Sequence, residues 1–173
     1  MNILSLDLST KSSGWALFEA GNLKDWGCIA SSSTDLIKRI YIMRDGIQEI
    51  LSKSKVDKII VEEVRPEGGY GVGNQKTHRA LMWLQAAIAF MVYDFDKKIE
   101  IEYIYPSSWR ATCGIKNGRG IVRSTLKEAD IAFVKDKYGL DVNDDIADAI
   151  CIGYAYTHPI NTIRITEDGF EFK

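Results

Sequence analysis

The sequence predicts an α/β fold: a mixed five-stranded sheet, its first three strands antiparallel, flanked by helices on both faces. Near the N-terminus, three apolar strand-like runs are separated only by short turns, as in a meander. After Ser33 the apolar residues recur at three- and four-residue steps, the helical period. Strand-like and helical segments then alternate, as they do in a sheet covered by helices.

Each element follows from its own pattern. "NILSLDL", "GWALFEA" and "LKDWGCIA" are the first three strands, joined by the turns "STKSSG" and "GN". Leu36, Ile40, Met43, Ile47 and Ile50 mark one face of a helix, and the serines and Thr34 before it offer N-caps. "VDKIIVEEV" is a short apolar strand that ends in acids, and "RPEGGYGVGN" is a glycine-rich loop. Ala80, Leu84, Ala87, Ile88 and Met91 then mark a long helix. "KIEIEYIYP" alternates like a strand up to Pro106. A helix is expected from about Gly120 to Tyr138, with Val122, Leu126, Ala129 and Phe133 inside. "NDDIADAICIGYAYTH" is the last helix, and "TIRITEDGFEFK" a hairpin about Asp168 and Gly169. The first strand and "KIIVEE" are expected in the interior of the sheet, and sites in such sheets gather at the carboxyl ends of strands.

Composition narrows the class. A chain of 173 residues, 46% of them hydrophobic, fits one domain, residues 1–173, with a sizeable core. No apolar run approaches about 20 residues, which argues against a membrane span. "MNILSLD" has no basic stretch ahead of its apolar residues, which argues against a signal peptide. The 3 cysteines are odd in number and far apart, which fits reduced thiols and a cytoplasmic setting. With 2 histidines and no CxxC, a structural zinc site is not expected.

The carboxylates are organised. Asp7 closes one apolar strand, and Glu62 and Glu63 close another. Asp145 and Asp148, three apart, share a face of the last helix, and Ile152 continues that face inward. A single strand-end acid is commonly a solvated group, and Asp144 and Asp145 suit a helix N-terminus. A set of acids brought together repels unless cations join it. Hard divalent ions with oxygen ligands are the simplest partner, and Mg²⁺ needs few protein carboxylates. Two ions about 3.5–4 Å apart would clamp a phosphodiester for attack by water. Between neighbours, strand alternation gives the site to Glu62 and turns Glu63 to the opposite face.

Between Ser107 and Lys127 lie Arg110, Lys116, Arg119, Arg123 and Lys127, with no acid among them. In a chain of net charge −2 this local basic stretch suits a polyanion beside a metal site. The glycine-rich loop places Tyr70 to stack on a base, and Lys76 and Arg79, at the start of the next helix, to meet phosphates. A solvated helix face and a packed loop anchor are the plainer readings of these residues.

"LSLDLSTKSSGWAL", "IIVEE" and "DDIADAICIGYAY" resemble the three acidic motifs of the RuvC-type Holliday junction resolvases, in the ribonuclease H-like superfamily, over nearly the whole chain. The resemblance implies a homodimer that binds four-way DNA junctions and nicks two opposed strands, using two Mg²⁺ or Mn²⁺ ions per site. It implies that Asp7, Glu62, Asp145 and Asp148 bind metal and that Lys116, Arg119 and Arg123 belong to a basic DNA-binding region; the mechanism expected from this has Asp7 bridging both ions. The run Glu63, Val64, Arg65 departs from the Gln and aromatic of the bacterial enzymes, which points to a phage-encoded relative and to Tyr70 as a replacement aromatic. A nuclease for other branched or single-stranded DNA is an alternative. So is a small actin- or hexokinase-like nucleotide-binding protein, because "DLSTKSSG" also resembles the phosphate-binding start of those folds.

Overall fold

The computed structural model describes residues 1–64, 72–118, 120–159, 163–166 and 169–172. Strands β1 (Asn2–Asp7), β2 (Ser12–Glu19) and β3 (Asn22–Ala30) are followed by helix α1 (Leu36–Lys53). Strand β4 (Lys58–Glu62), helix α2 (Val72–Phe95) and strand β5 (Glu100–Ile104) come next. Helices α3 (Pro106–Thr112), α4 (Arg123–Tyr138) and α5 (Asp144–Thr157) follow, then a separate hairpin of β6 (Ile163–Thr166) and β7 (Gly169–Phe172). The main sheet has the order β3-β2-β1-β4-β5. β1–β2 and β2–β3 pair antiparallel, whereas β4 runs parallel to β1 and to β5. This is the expected mixed sheet, with one refinement: β2 has a neighbour on each side and is interior too.

Alternation along the strands divides the core into two layers. Leu4 and Leu6 of β1, with Ile59 and Val61 of β4, face α1 and α2. Ile3 of β1 and Ile60 of β4 face α3, α4 and α5. Each such buried side chain contributes roughly 1.5–3 kcal/mol. Because the period is two, Asp7 and Glu62 fall on the α5 side by parity with Ile3 and Ile60. Ser5, also on that side, is buried, its hydroxyl 2.7 Å from the Ala149 carbonyl and 3.1 Å from that of Ala16.

Close backbone approach seats α5 on the sheet. A Cβ at Gly14 would stand 1.8 Å from the Asp145 carbonyl oxygen, and one at Gly153 would stand 2.2 Å from the Phe18 ring. Only hydrogen at these positions lets the first turn of α5 lie against β2. Asn143 caps that turn, its side-chain oxygen accepting from Ile146 N at 3.0 Å.

Several local expectations are corrected. The N-cap of α1 is Asp35, whose carboxylate accepts from Ile37 N and Lys38 N, not the serines or Thr34. The sequence assigns no element directly after Pro106, but Pro106 starts α3, with Tyr105 extended before it. A helix of 7 residues is too short to show a 3.6 period in sequence. Helix α4 starts at Arg123, not at about Gly120, because Gly118 and Gly120 hold φ of +145° and +85°. Val122 is therefore its extended N-cap and is 62% exposed, not inside. Among the described residues no helix is long and apolar enough to cross a membrane.

Gly14→Ala is expected to cost about 3 kcal/mol or more, as overpacking against rigid backbone does. Chemical denaturation measures it, and a loss well under 1 kcal/mol would show that α5 shifts freely.

Candidate active site

Asp7 and Glu62 are the last residues of neighbouring parallel strands, and the pairing of Leu6 with Val61 puts them side by side. Asp145 and Asp148 come down on them from the first two turns of α5. All four line a cleft of about 990 Å³ at this end of the sheet. Glu63 also borders the cleft, but the environments of the two glutamates differ. Glu62 accepts a hydrogen bond from Trp109 Nε1 at 2.9 Å, and its charge acts on Asp7. The charge of Glu63 acts on Tyr103 of β5 instead.

Burial and repulsion between carboxylates push Asp7, Glu62 and Asp148 toward their neutral forms. Burial pushes the Asp7 carboxyl up to about 7, and the charges of Glu62 and Asp145 add to this, with Arg123 and Lys127 opposing. Burial pushes Asp148 up to about 9, followed by repulsion from Asp7 and a hydrogen bond with Asp130, while Arg110 opposes. Burial also raises Glu62, against the pull of the Trp109 N–H, Arg110 and Arg123. Asp148 Oδ1 is buried without a hydrogen-bond partner. Ser12 Oγ donates to Asp145 Oδ2, and Lys127 Nζ to Asp144.

Basic side chains rim the same cleft. Lys76 and Arg79 reach it from α2, and Arg123 and Lys127 from the start of α4. Arg79 also stacks over Trp83, 5.6 Å from the ring centre. Lys116 is exposed in the loop after α3 and does not line the cleft. Tyr70 and Arg119 lie outside the described residues. Sequence reasoning passed over Lys11 and Arg39, which line the cleft as well. Lys11 stands in the turn four residues after Asp7, a proximity visible in the sequence; Arg39 carries no such signal. Also missed were Trp109 as a partner of Glu62 and Asp130 as a partner of Arg110. Asp130 carries no signal in the sequence, yet it is fully buried.

The donor chemistry fits a hard divalent ion. The acids offer only oxygen, their repulsion is only partly offset by Arg110, Arg123 and Lys127, and Asp148 Oδ1 has no hydrogen-bond partner. The shell itself is not preassembled: among the described residues no three His, Cys, Asp or Glu side chains are arranged to hold a metal. Asp145 is engaged with Ser12, and Asp148 with Asp130 and Arg110.

The fold is α/β, with a mixed five-stranded sheet that solved junction resolvases share. Among solved structures the chain is similar to Thermus thermophilus RuvC in complex with a Holliday junction substrate, at TM-score 0.68 and 15% identity, covering 91% of this chain and 92% of that one. It is similar to the yeast mitochondrial Holliday junction resolvase Ydc2 at TM-score 0.56 and 15% identity, covering 90% and 77%. Fowlpox virus resolvase, solved with substrate Holliday junction DNA, matches at TM-score 0.50 and 16% identity, covering 91% and 99%. At such identities the likeness establishes the fold. No protein-family model matches the chain, and no curated protein matches it by sequence.

The raised carboxyls set a pH dependence for the metal-free protein. The folded state keeps a proton on Asp7 that the unfolded chain releases, between 3.8 and about 7. For Asp148 the window extends to about 9. Stability from this source is complete below the lower limit and is lost as pH rises through the window. Asp7→Asn is therefore expected to melt above the unmodified protein at about pH 8 in EDTA, and the advantage to shrink toward about pH 5. Paired thermal melts check this; an advantage largest at the acid end would reverse the assignment.

Proposed function

We propose that this chain is a metal-dependent DNA endonuclease that resolves four-way junctions. One observation carries the reading: Asp7, Glu62, Asp145 and Asp148 converge from two strands and a helix on the floor of a single cleft rimmed by basic residues. An acidic floor inside a basic rim suits a phosphodiester held against divalent ions. The likeness to resolvases, over 91% of this chain for the RuvC complex, supports the junction as substrate.

In this reading the four acids hold Mg²⁺ or Mn²⁺, which when bound lowers the pKa of the attacking water and offsets charge on the leaving oxygen. Asp7, on which the charges of both Glu62 and Asp145 act, would help hold the ions. The Glu62 carboxylate is oriented by Trp109 and that of Asp145 by Ser12. Lys76, Arg79, Arg123 and Lys127 neutralise backbone phosphates along the rim, and Lys116 meets the DNA beyond it; Tyr70 and Arg119, outside the described residues, are further DNA contacts on the sequence reading alone. The protein acts as a homodimer, so that two clefts reach two opposed strands. The outward face of α2 supports that assembly, with Phe90 74% and Trp83 48% exposed beside Met82.

The deciding experiment is cleavage of an end-labelled synthetic four-way junction beside linear duplex, with Mg²⁺ or with EDTA. Paired symmetric nicks on the junction alone, lost in EDTA, support the reading; an uncut junction under both Mg²⁺ and Mn²⁺ sinks it. Asp7→Asn is expected to abolish cleavage while junction binding survives, as a gel-shift assay reports. The double change Arg79→Ala and Arg123→Ala is expected to weaken binding and to reduce the slope of log affinity against log salt by about 2. An unchanged slope would place the DNA on another face.

A further inference from the structure

Helix α3 supplies adjacent side chains to two different acids of the cleft. Trp109 is fully buried, and its indole N–H donates to Glu62 Oε2 at 2.9 Å. The next residue, Arg110, forks onto Asp130 of α4, with Nε 3.1 Å and Nη2 2.8 Å from Oδ2. The same Nη2 lies 3.7 Å from Asp148 Oδ2. The Arg110 guanidinium also lies 4.0 Å over the Trp109 ring, so each side chain restrains the other. Asp130 is fully buried and does not line the cleft. A buried carboxylate outside the reacting centre needs a reason to be there, and its reason here is Arg110.

We infer that Trp109 and Arg110, backed by Asp130, are positioning residues that aim Glu62 and Asp148 into the cleft. The inference rests on the reading of those acids as metal ligands. A carboxylate free to rotate must be ordered as an ion binds, whereas one already hydrogen-bonded has lost that freedom. Consecutive residues of a helix diverge by about 100°, so one short helix serves both a strand acid and a helix acid. Outer partners of this kind are worth about 10–100-fold in metal affinity. The rival is that α3 only fills the core. Trp109→Phe separates the two, because it keeps most of the ring and removes the N–H. Arg110→Lys does so too, because it keeps the charge and loses the fork.

The test is direct titration of the full chain and its variants with Mn²⁺, following free Mn²⁺ by electron paramagnetic resonance, alongside junction cleavage and thermal melts. Each variant is expected to bind Mn²⁺ about tenfold or more weakly while metal-free junction affinity holds. Mn²⁺ affinity equal to that of the unmodified protein in both variants would overturn the inference. If Trp109→Phe does not fold, Arg110→Lys and Asp130→Asn decide by the same reading. An unmodified protein that binds Mn²⁺ but leaves junctions uncut fails the nuclease reading, and the Mn²⁺ affinities still judge the positioning. One that binds no Mn²⁺ fails both.

Discussion

The carbonyl of Asp145 rests on the backbone of β2 at Gly14, and the architecture of the cleft follows from that contact. Two strands that end side by side carry Asp7 and Glu62, but by themselves they make only a pair of acids at a sheet edge. The seated helix adds Asp145 and Asp148 from above and closes the group. Ser5 and Gly14 on one face of the sheet, and Gly153 on the helix that packs there, are small residues. Together they let helix and sheet approach closely enough for a helix acid and a strand acid to share one space.

That closeness has an electrostatic consequence. Asp7 and Asp148 rise far above the ordinary carboxyl range mainly because they are buried, and secondarily because they repel their neighbours. The protein partly offsets this with its own cations, Arg110 from beneath and Arg123 and Lys127 from the rim. The balance is left incomplete where the acids face open cleft. An arrangement that served stability alone would have replaced the acids with apolar groups of similar size.

Much of this was legible in the sequence, and the reasons differ by element. The strand acids could be read because alternation ties Asp7 to Ile3 and Glu62 to Ile60. The helix acids could be read because Asp145, Asp148 and Ile152 keep a helical step. The meander and the change of period after Ser33 gave the sheet its mixed character. Helix α3 was not legible, since 7 residues hold no repeat and its proline reads equally as the end of a strand. Trp109 and Asp130 were missed for a related reason: their partners are distant in sequence, 47 residues away for Glu62 and 20 for Arg110. Local patterns report faces and turns; they do not report who meets across the core.

The sheet also separates two apolar layers with different obligations. The layer under α3, α4 and α5 shares its face with Asp7 and Glu62, so a change of side-chain volume there is transmitted to the acids. The layer under α1 and α2 lies on the other side of the strands and serves the cleft differently: its helices carry Arg39, Lys76 and Arg79 to the rim, and Gln85 donates to the Glu62 carbonyl at 3.0 Å. Sequence change is therefore unequally tolerated: the outward face of α2 is free to drift, while both layers against the sheet are held by the residues they carry to the cleft.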